Sequence, residues 1–244
     1  MRTIKLTISY DGTSYAGWQY QPNGLSVQQV MEEALAKILG LQVRLCSSGR
    51  TDAGVHAERM VAVFRTDREI PLSAFSDGLN SLLPPDIAVR AAEEAPQEFD
   101  PRRDAKGKHY RYTILNTPRR SPLCRLYTWH LRGDLDLEAM REAARQMTGE
   151  KDFAAFRTSG CAARTTIRNV YSVEVIREGE FVLIDVKGSG FLRNMVRIMV
   201  GTLVEVGRGK IRPAAITALF NGKNGATAGM TAPAHGLCLV EVYY

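Results

Sequence analysis

The chain has 244 residues, of which 45% are hydrophobic and 24% are charged, and its four cysteines stand far apart. This composition argues against a disordered chain, a disulfide-rich small domain and a zinc finger, because the apolar content is ordinary for a packed core and no cysteines are paired at ligand spacing. The net charge of +6, carried more by arginine than by lysine, favours an anionic partner, most plausibly nucleic acid.

The first part of the chain predicts alternating strands and one strong helix. Residues 4–10 alternate apolar and polar side chains, which is typical of a half-buried strand. Ser26 then begins a helix, with Gln29 as capping partner, and Gly40 ends it. A short strand over 43–46 leads into a glycine-flanked turn, and 60–64 reads as the strand after it.

The remainder repeats a similar order of elements. We predict a helix at 72–83, strands at 87–89, 108–114 and 127–131, a helix at 135–147, a hairpin of 170–175 with 181–186, a long helix at 191–206, a short helix at 213–220, a glycine-rich loop at 221–229 and a closing strand at 237–243.

This order of elements predicts the α+β class. We expect two similar α+β halves of the ferredoxin or RNP-like kind, 1–104 and 105–244. They would form one extended, mostly antiparallel sheet, with helices on one face and an RNA-binding cleft on the other. The N-terminus lacks a signal-peptide core and no apolar run reaches membrane-spanning length. We therefore expect a cytoplasmic protein with no membrane contact.

The stretch 48–57 is the most informative part of the sequence. It places the carboxylate of Asp52 in a turn between Gly49 and Gly54, with the guanidinium of Arg50 near enough to keep that carboxylate ionised. A single carboxylate that is held out into a cleft is the least that nucleophilic or general-base catalysis requires. The alternative is an ordinary tight turn in which the aspartate bonds only its own backbone.

A second informative region is the strand around Tyr110. Its alternation places Tyr110 and Tyr112 on one face, within a basic segment that contains Arg102, Arg103, Lys106, Arg119, Arg120 and Arg125. Aromatic side chains in basic surroundings are suited to stacking on an unpaired base. The alternative is that both tyrosines are core residues.

The long helix supplies the third region. Arg193 and Arg197 are four residues apart and could pair with carboxylates or phosphates, although two solvated arginines would look the same. No phosphate loop, dinucleotide fingerprint or His-Glu-x-x-His motif is present. We therefore expect chemistry that needs no metal and no cofactor.

Through these motifs, the sequence resembles the bacterial tRNA pseudouridine synthase A family. The string Gly-Arg-Thr-Asp-Ala-Gly-Val-His at 49–56 carries most of the resemblance. Weaker matches follow in the same order along nearly the whole chain, at 10–19, 83–89, 108–112, 191–197 and 232–237. One departure is Pro101, which stands where the family pattern Phe-x-Ala-Arg has alanine, and its fixed φ affects the local loop.

The resemblance implies a homodimer that isomerises uridines 38, 39 and 40 of the tRNA anticodon arm to pseudouridine without a cofactor. It implies that Asp52 is catalytic, that Tyr110 contacts the target base and that Arg197 pairs with the catalytic aspartate. Arg50 is expected to contact RNA and help to extrude the target. We predict that the RNA-contacting set comprises Arg50, His56, Arg102, Lys108, Arg111, Arg164 and Arg193.

Two other functions are compatible with parts of the sequence. A non-catalytic RNA-binding or chaperone protein would use the same basic segment and tyrosines, but would gain nothing from a carboxylate facing a polyanion. A carboxylate-dependent hydrolase would ordinarily need a second carboxylate near Asp52, and the sequence supplies none there.

Overall fold

The computed structural model describes residues 1–158, 164–221 and 227–244. Its strands are β1 Arg2–Tyr10, β2 Cys46–Ser47, β3 His56–Thr66, β4 Ile87–Ala95, β5 Gly107–Asn116, β6 Trp129–Leu131, β7 Gly149–Asp152, β8 Ile167–Glu178, β9 Phe181–Gly188 and β10 Leu237–Tyr243. Its α-helices are α1 Val27–Leu39, α2 Leu137–Arg145, α3 Met195–Gly207 and α4 Ile216–Phe220.

The chain divides into two compact units. The first comprises Met1–Lys106 together with Cys238–Tyr244, and the second comprises Gly107–Leu237. The predicted halves, 1–104 and 105–244, place the last strand in the second half. In the structure most of β10 belongs to the first unit, because Cys238 and Leu239 pair in parallel with His56 and Ala57 of β3.

The sheet of the first unit is built around β3. Strand β1 pairs antiparallel with β3 along one edge and with β4 along its own other edge. The other edge of β3 pairs antiparallel with β2 and in parallel with β10. Apolar side chains of β1 and β3, such as Ile4, Leu6 and Phe64, are fully or almost fully buried. This buried face fixes the strand register, since a slip by one residue would expose it.

Helix α1 forms as its sequence predicts. The Ser26 side chain accepts a hydrogen bond from the Gln29 backbone N–H, and Gly40 ends the helix with a φ of 71°. Val27, Met31 and Leu35 are completely buried along one face. The predicted helix at 72–83 contains a π-helical turn over Ala74–Gly78, whose Phe75 packs edge-on against Phe64 of β3.

The second unit has its own antiparallel sheet in the order β5-β9-β8-β7, and β6 pairs in parallel with β5. The predicted hairpin is the β8–β9 pair, while β7 has no counterpart among the predicted elements. Helix α2 packs on β8 and on α3, and α3 also contacts β5. The predicted α+β class with mostly antiparallel strands is therefore confirmed.

Helix α3 begins four residues later than predicted, at Met195 instead of residue 191. The reason is Asn194, whose left-handed backbone, with a φ of 60°, ends any helix that would run through it. Most of the predicted loop at 221–229, and Cys161, lie outside the described residues. Within the described ranges, no helix is long and apolar enough to cross a membrane.

Candidate active site

The turn that carries Asp52 connects β2 to β3 in the first unit. Val55 N–H donates to the Asp52 carbonyl across 3.2 Å, which closes the turn. Asp52 itself is half-buried, whereas the neighbouring Thr51 and Val55 are buried. The turn therefore anchors its flanks in the core and leaves the Asp52 carboxylate within partial reach of solvent.

Hydrogen bonds fix the residue before the aspartate. The hydroxyls of Tyr10 and Thr51 lie 2.8 Å apart and are buried. The backbone N–H of Trp18 donates to the Thr51 carbonyl at 3.1 Å. Thr51 is thus held through its side chain by the last residue of β1 and through its backbone by the segment that follows, and these contacts limit the freedom of the adjoining Asp52.

Two glycines bring the segment 10–18 against the Asp52 turn. A Cβ added at Gly12 would lie 2.0 Å from the Val55 carbonyl oxygen. Gly17 has a φ of 98°, and a Cβ there would lie 2.7 Å from the Thr51 carbonyl oxygen. Both obstructing atoms belong to the backbone and cannot swing aside, so only glycine permits this approach. We call the segment 10–18 together with the turn 48–57 the Asp52 clamp.

His56 belongs to the interior of the Asp52 clamp. Its side chain is buried, and Nδ1 accepts a hydrogen bond from the Gly12 backbone N–H at 3.1 Å. Asp11 Oδ1 lies 3.1 Å from the same nitrogen, but a nitrogen that accepts from Gly12 has no proton to donate to Asp11. The structure places the His56 side chain in the packing of the loop, and its predicted contact with RNA stays a prediction.

In the second unit, Tyr110 lies on β5 with its side chain only 8% exposed. Its ring packs edge-on against Phe191, with centroids 5.4 Å apart and an interplanar angle of 88°. This contact fixes the ring plane of Tyr110. The tyrosine is therefore oriented by packing, and it lies on the same face of the strand as the fully buried Tyr112.

Arg197 lies in the first turn of α3 and is held by two acceptors of the second unit. Its Nε donates to the Ala232 carbonyl at 2.7 Å, and its Nη1 donates to Asn194 Oδ1 at 2.8 Å. The Ala232 N–H donates in turn to the Arg197 carbonyl at 3.1 Å. The guanidinium orientation is therefore set by a backbone carbonyl on one side and by an amide side chain on the other.

Tyr112 anchors the segment that holds Arg197. Its hydroxyl donates to the Pro233 carbonyl at 2.8 Å. Burial raises the pKa of Tyr112 well above its usual range, and the positive charge of Arg197 opposes that rise only in part. Tyr112 is thus a core residue that acts as a hydrogen-bond donor, as the core alternative for this residue predicts.

The opposite face of β5 carries an ionic cluster centred on the buried carboxylate of Asp185. Asp185 of β9 accepts two hydrogen bonds from the Arg111 guanidinium, both at 2.9 Å, and lies 2.6 Å from His109 Nε2. Burial alone would raise the pKa of the Asp185 carboxyl. The bonds and charges of Arg111 and His109 outweigh that effect and hold the pKa below its ordinary value of 3.8.

This cluster predicts a pH-dependent contribution to stability. Asp185→Asn should lower the free energy of unfolding at pH 7 by about 2 to 3 kcal/mol, because it leaves Arg111 and His109 without their charged partner. Since the pKa of Asp185 is depressed in the folded state, the extra stability of wild type over Asp185→Asn is complete above pH 3.8. This extra stability disappears as the pH falls through the lower pKa of the folded state.

Urea unfolding between pH 7 and pH 3 measures this difference in stability. The matched control is Asp134→Asn at an exposed position, and equal stability of Asp185→Asn and wild type at pH 7 would refute the argument.

Apart from His56, which is buried, the predicted RNA contacts fall into two groups by exposure. The first group is exposed and the second is half-buried. Within the second group, Arg111 is bound to Asp185. The exposed group is Arg50, Arg102, Arg164 and Arg193, and the half-buried group is Lys108 and Arg111. Among the described residues, no cluster of His, Cys, Asp and Glu is arranged to hold a metal ion.

Sequence reasoning missed several residues that shape the site. Asn194 lies within the motif 191–197, but nothing in the sequence marks it as the partner of Arg197. Tyr10, Gly12 and Gly17 lie within the matched string 10–19, where a tyrosine and two glycines next to a strand end were a signal of close backbone approach.

Comparison with known proteins finds one matching family model, described as tRNA pseudouridine synthase, over residues 6–103 and 143–244. A protein of Geobacter sulfurreducens called tRNA pseudouridine synthase A is 66% identical over the full length of both chains. A protein of the same name from Geotalea uraniireducens is 63% identical, again over the full length of both. Among solved structures, an archaeal box H/ACA sRNP Nop10-Cbf5 complex matches 97% of this chain and 48% of that chain, with a TM-score of 0.39 and 15% identity.

Proposed function

This chain belongs to the tRNA pseudouridine synthase family and is an isomerase, and from that premise we propose that Asp52 is the residue with which it converts uridine to pseudouridine in tRNA. The observation that carries the proposal is the Asp52 clamp. Hydroxyl and backbone bonds hold Thr51, and glycine contacts hold both flanks of the turn. Such rigid support for one polar side chain is what preorganised catalysis needs.

The isomerisation of uridine requires few groups other than a positioned carboxylate. The reaction breaks the bond between N1 of the base and C1′ of the ribose and forms a bond between C5 and C1′. A proton leaves C5 and a proton is gained at N1, so nothing is oxidised and no group is added. Asp52 acts either as the nucleophile that carries the reacting carbon or as the base that takes a proton from the ribose, and both roles require the ionised form.

The second unit supplies the other two groups in this proposal. Tyr110, whose ring plane is fixed by Phe191, contacts the target base after it has left the stack. Arg197, whose guanidinium is held by Ala232 and Asn194, is the positively charged group that the family resemblance pairs with the catalytic aspartate.

We assign the anticodon arm as the substrate region and uridines 38, 39 and 40 as the targets. This assignment rests on the family resemblance, which likewise supports a homodimer acting in the cytoplasm. The test uses tRNA transcripts with tritium at C5 of every uridine. We expect tritium release from the parent transcript and no release from a transcript in which positions 38 to 40 are cytidine. Undiminished release from the second transcript would contradict the assignment.

The exposed arginines are expected to act through phosphates. Arg50→Ala should weaken tRNA binding about fivefold and reduce the slope of log K against log salt concentration by about one, since one counterion-releasing contact is lost. The measurement is a tRNA binding isotherm at several salt concentrations. Arg68→Ala is the control, because Arg68 follows the far end of β3, an 11-residue strand that is about 35 Å long. An unchanged salt slope for Arg50→Ala would count against a phosphate contact.

A further inference from the structure

We propose that Asn194 is a positioning residue that orients the Arg197 guanidinium for the isomerisation. This inference rests on the proposed function of Arg197. It is argued entirely from the second unit, where an unusual backbone conformation and an unusual side-chain bond coincide at one residue.

The backbone at Asn194 is strained. Its φ of 60° and ψ of 4° place it in the left-handed region, and it is the only residue other than glycine with a positive φ in the part of the chain that the structure describes. That conformation costs about 1 kcal/mol or more for a residue with a side chain, although asparagine tolerates it better than most. Glycine would adopt it at no cost, so the presence of asparagine points to a use for the side chain.

The side chain is not used for the capping role that its place offers. Asn194 precedes the first residue of α3, where an asparagine ordinarily accepts a bond from a backbone N–H of the first turn. Here it makes no such bond. Its Oδ1 accepts from the Arg197 guanidinium at 2.8 Å, and its Nδ2 lies 3.2 Å from Thr158 Oγ1.

The direction of the amide follows from its partners. A guanidinium has only donors, so the atom facing Arg197 must be the oxygen, and the amide nitrogen then faces the Thr158 hydroxyl. Thr158 thereby holds the amide plane, and the amide plane holds the guanidinium. Arg197 also donates to the Ala232 carbonyl, which no side-chain substitution removes. Asn194 is therefore a side chain through which the orientation of Arg197 can be tested.

Asn194→Gly separates this role from folding. Glycine relieves the left-handed strain, and this gain offsets the greater entropy of the unfolded chain and the lost side-chain bonds, so the free energy of unfolding should stay within about 1 kcal/mol of the wild-type value. The turnover number should nevertheless fall about 10- to 100-fold, because a guanidinium that loses one of its supports spends less time in the productive geometry. The tRNA dissociation constant should stay within about twofold. Unfolding in urea, single-turnover kinetics and binding isotherms measure the three quantities.

Asn194→Asp is the conservative variant. Aspartate tolerates the left-handed conformation and keeps an oxygen acceptor for Arg197. We expect it to retain more turnover than Asn194→Gly. If the glycine variant is as active as wild type, the positioning role is wrong, whatever the result for Asn194→Asp.

A double-mutant cycle with Arg197→Ala separates failure of this inference from failure of the proposed function. If Arg197→Ala leaves turnover and the acid limb of the pH–rate profile unchanged, the proposed role of Arg197 fails, and the role of Asn194 fails with it. If Arg197→Ala lowers turnover, the inference requires that adding Asn194→Gly causes no further loss. Losses that multiply would show that Asn194 acts independently of Arg197 and would overturn the inference alone.

Discussion

Asp52→Asn is expected to lower turnover by at least about 10⁴-fold, the scale of loss when an essential catalytic group is removed. An amide of the same shape is neither a nucleophile nor a base at neutral pH. The fold should survive, because the bond that closes the turn uses the Asp52 carbonyl and the clamp acts on Thr51 and Val55. Affinity for tRNA should be retained, since the change removes a negative charge from a site that faces a polyanion.

Single-turnover tritium release and a tRNA binding isotherm, measured on the same preparation, test this expectation. The matched control is Asp77→Asn, which makes the same chemical change at an exposed position of the same unit and should leave both quantities at wild-type values. Turnover by Asp52→Asn within tenfold of wild type would remove Asp52 from the catalytic role, whatever the binding result.

Gly12→Ala is expected to have the second-largest effect. Its Cβ would lie 2.0 Å from the carbonyl oxygen and 2.6 Å from the carbonyl carbon of Val55. Backbone atoms cannot rotate away, so the segment 10–18 and the Asp52 turn must separate. That movement also disturbs the bond from the Gly12 N–H to His56. We expect a loss of about 3 kcal/mol or more in the free energy of unfolding and a fall of about 100-fold in turnover.

Gly78→Ala is the control for Gly12→Ala. Its added Cβ would have no neighbour nearer than 3.6 Å, which is ordinary van der Waals contact, and Gly78 lies in a helical turn of the same unit. Urea unfolding and single-turnover kinetics should distinguish the two variants clearly. Wild-type stability and activity of Gly12→Ala would show that the close approach does not constrain the Asp52 turn.

Elements with strong local signals were predicted well from the sequence. Ser26 and Gly40 bound α1 as their types indicate, and the closing strand spans Leu237–Tyr243 as predicted. These signals are local, because each occupies only a few positions of the sequence. They are a side chain that caps a helix, a glycine that adopts positive φ, and an alternation of apolar residues.

The remaining features depend on contacts between residues distant in the sequence. Gly12 meets Val55, and Asp185 binds His109 and Arg111, only after the chain has folded. The start of α3 was misjudged because apolar periodicity does not reveal the left-handed backbone of Asn194. The side-chain types that carry the proposed chemistry are visible in the sequence, but their supports are not.

The central claim, that this protein isomerises uridine in tRNA, is tested most directly with the wild-type protein and a tRNA transcript tritiated at C5 of uridine, without added cofactor. Tritium release should be paired with mapping of pseudouridine along the transcript. The account predicts release accompanied by pseudouridine at positions 38 to 40. Tight tRNA binding with no release and no pseudouridine would contradict the account and would identify a protein that binds RNA without modifying it.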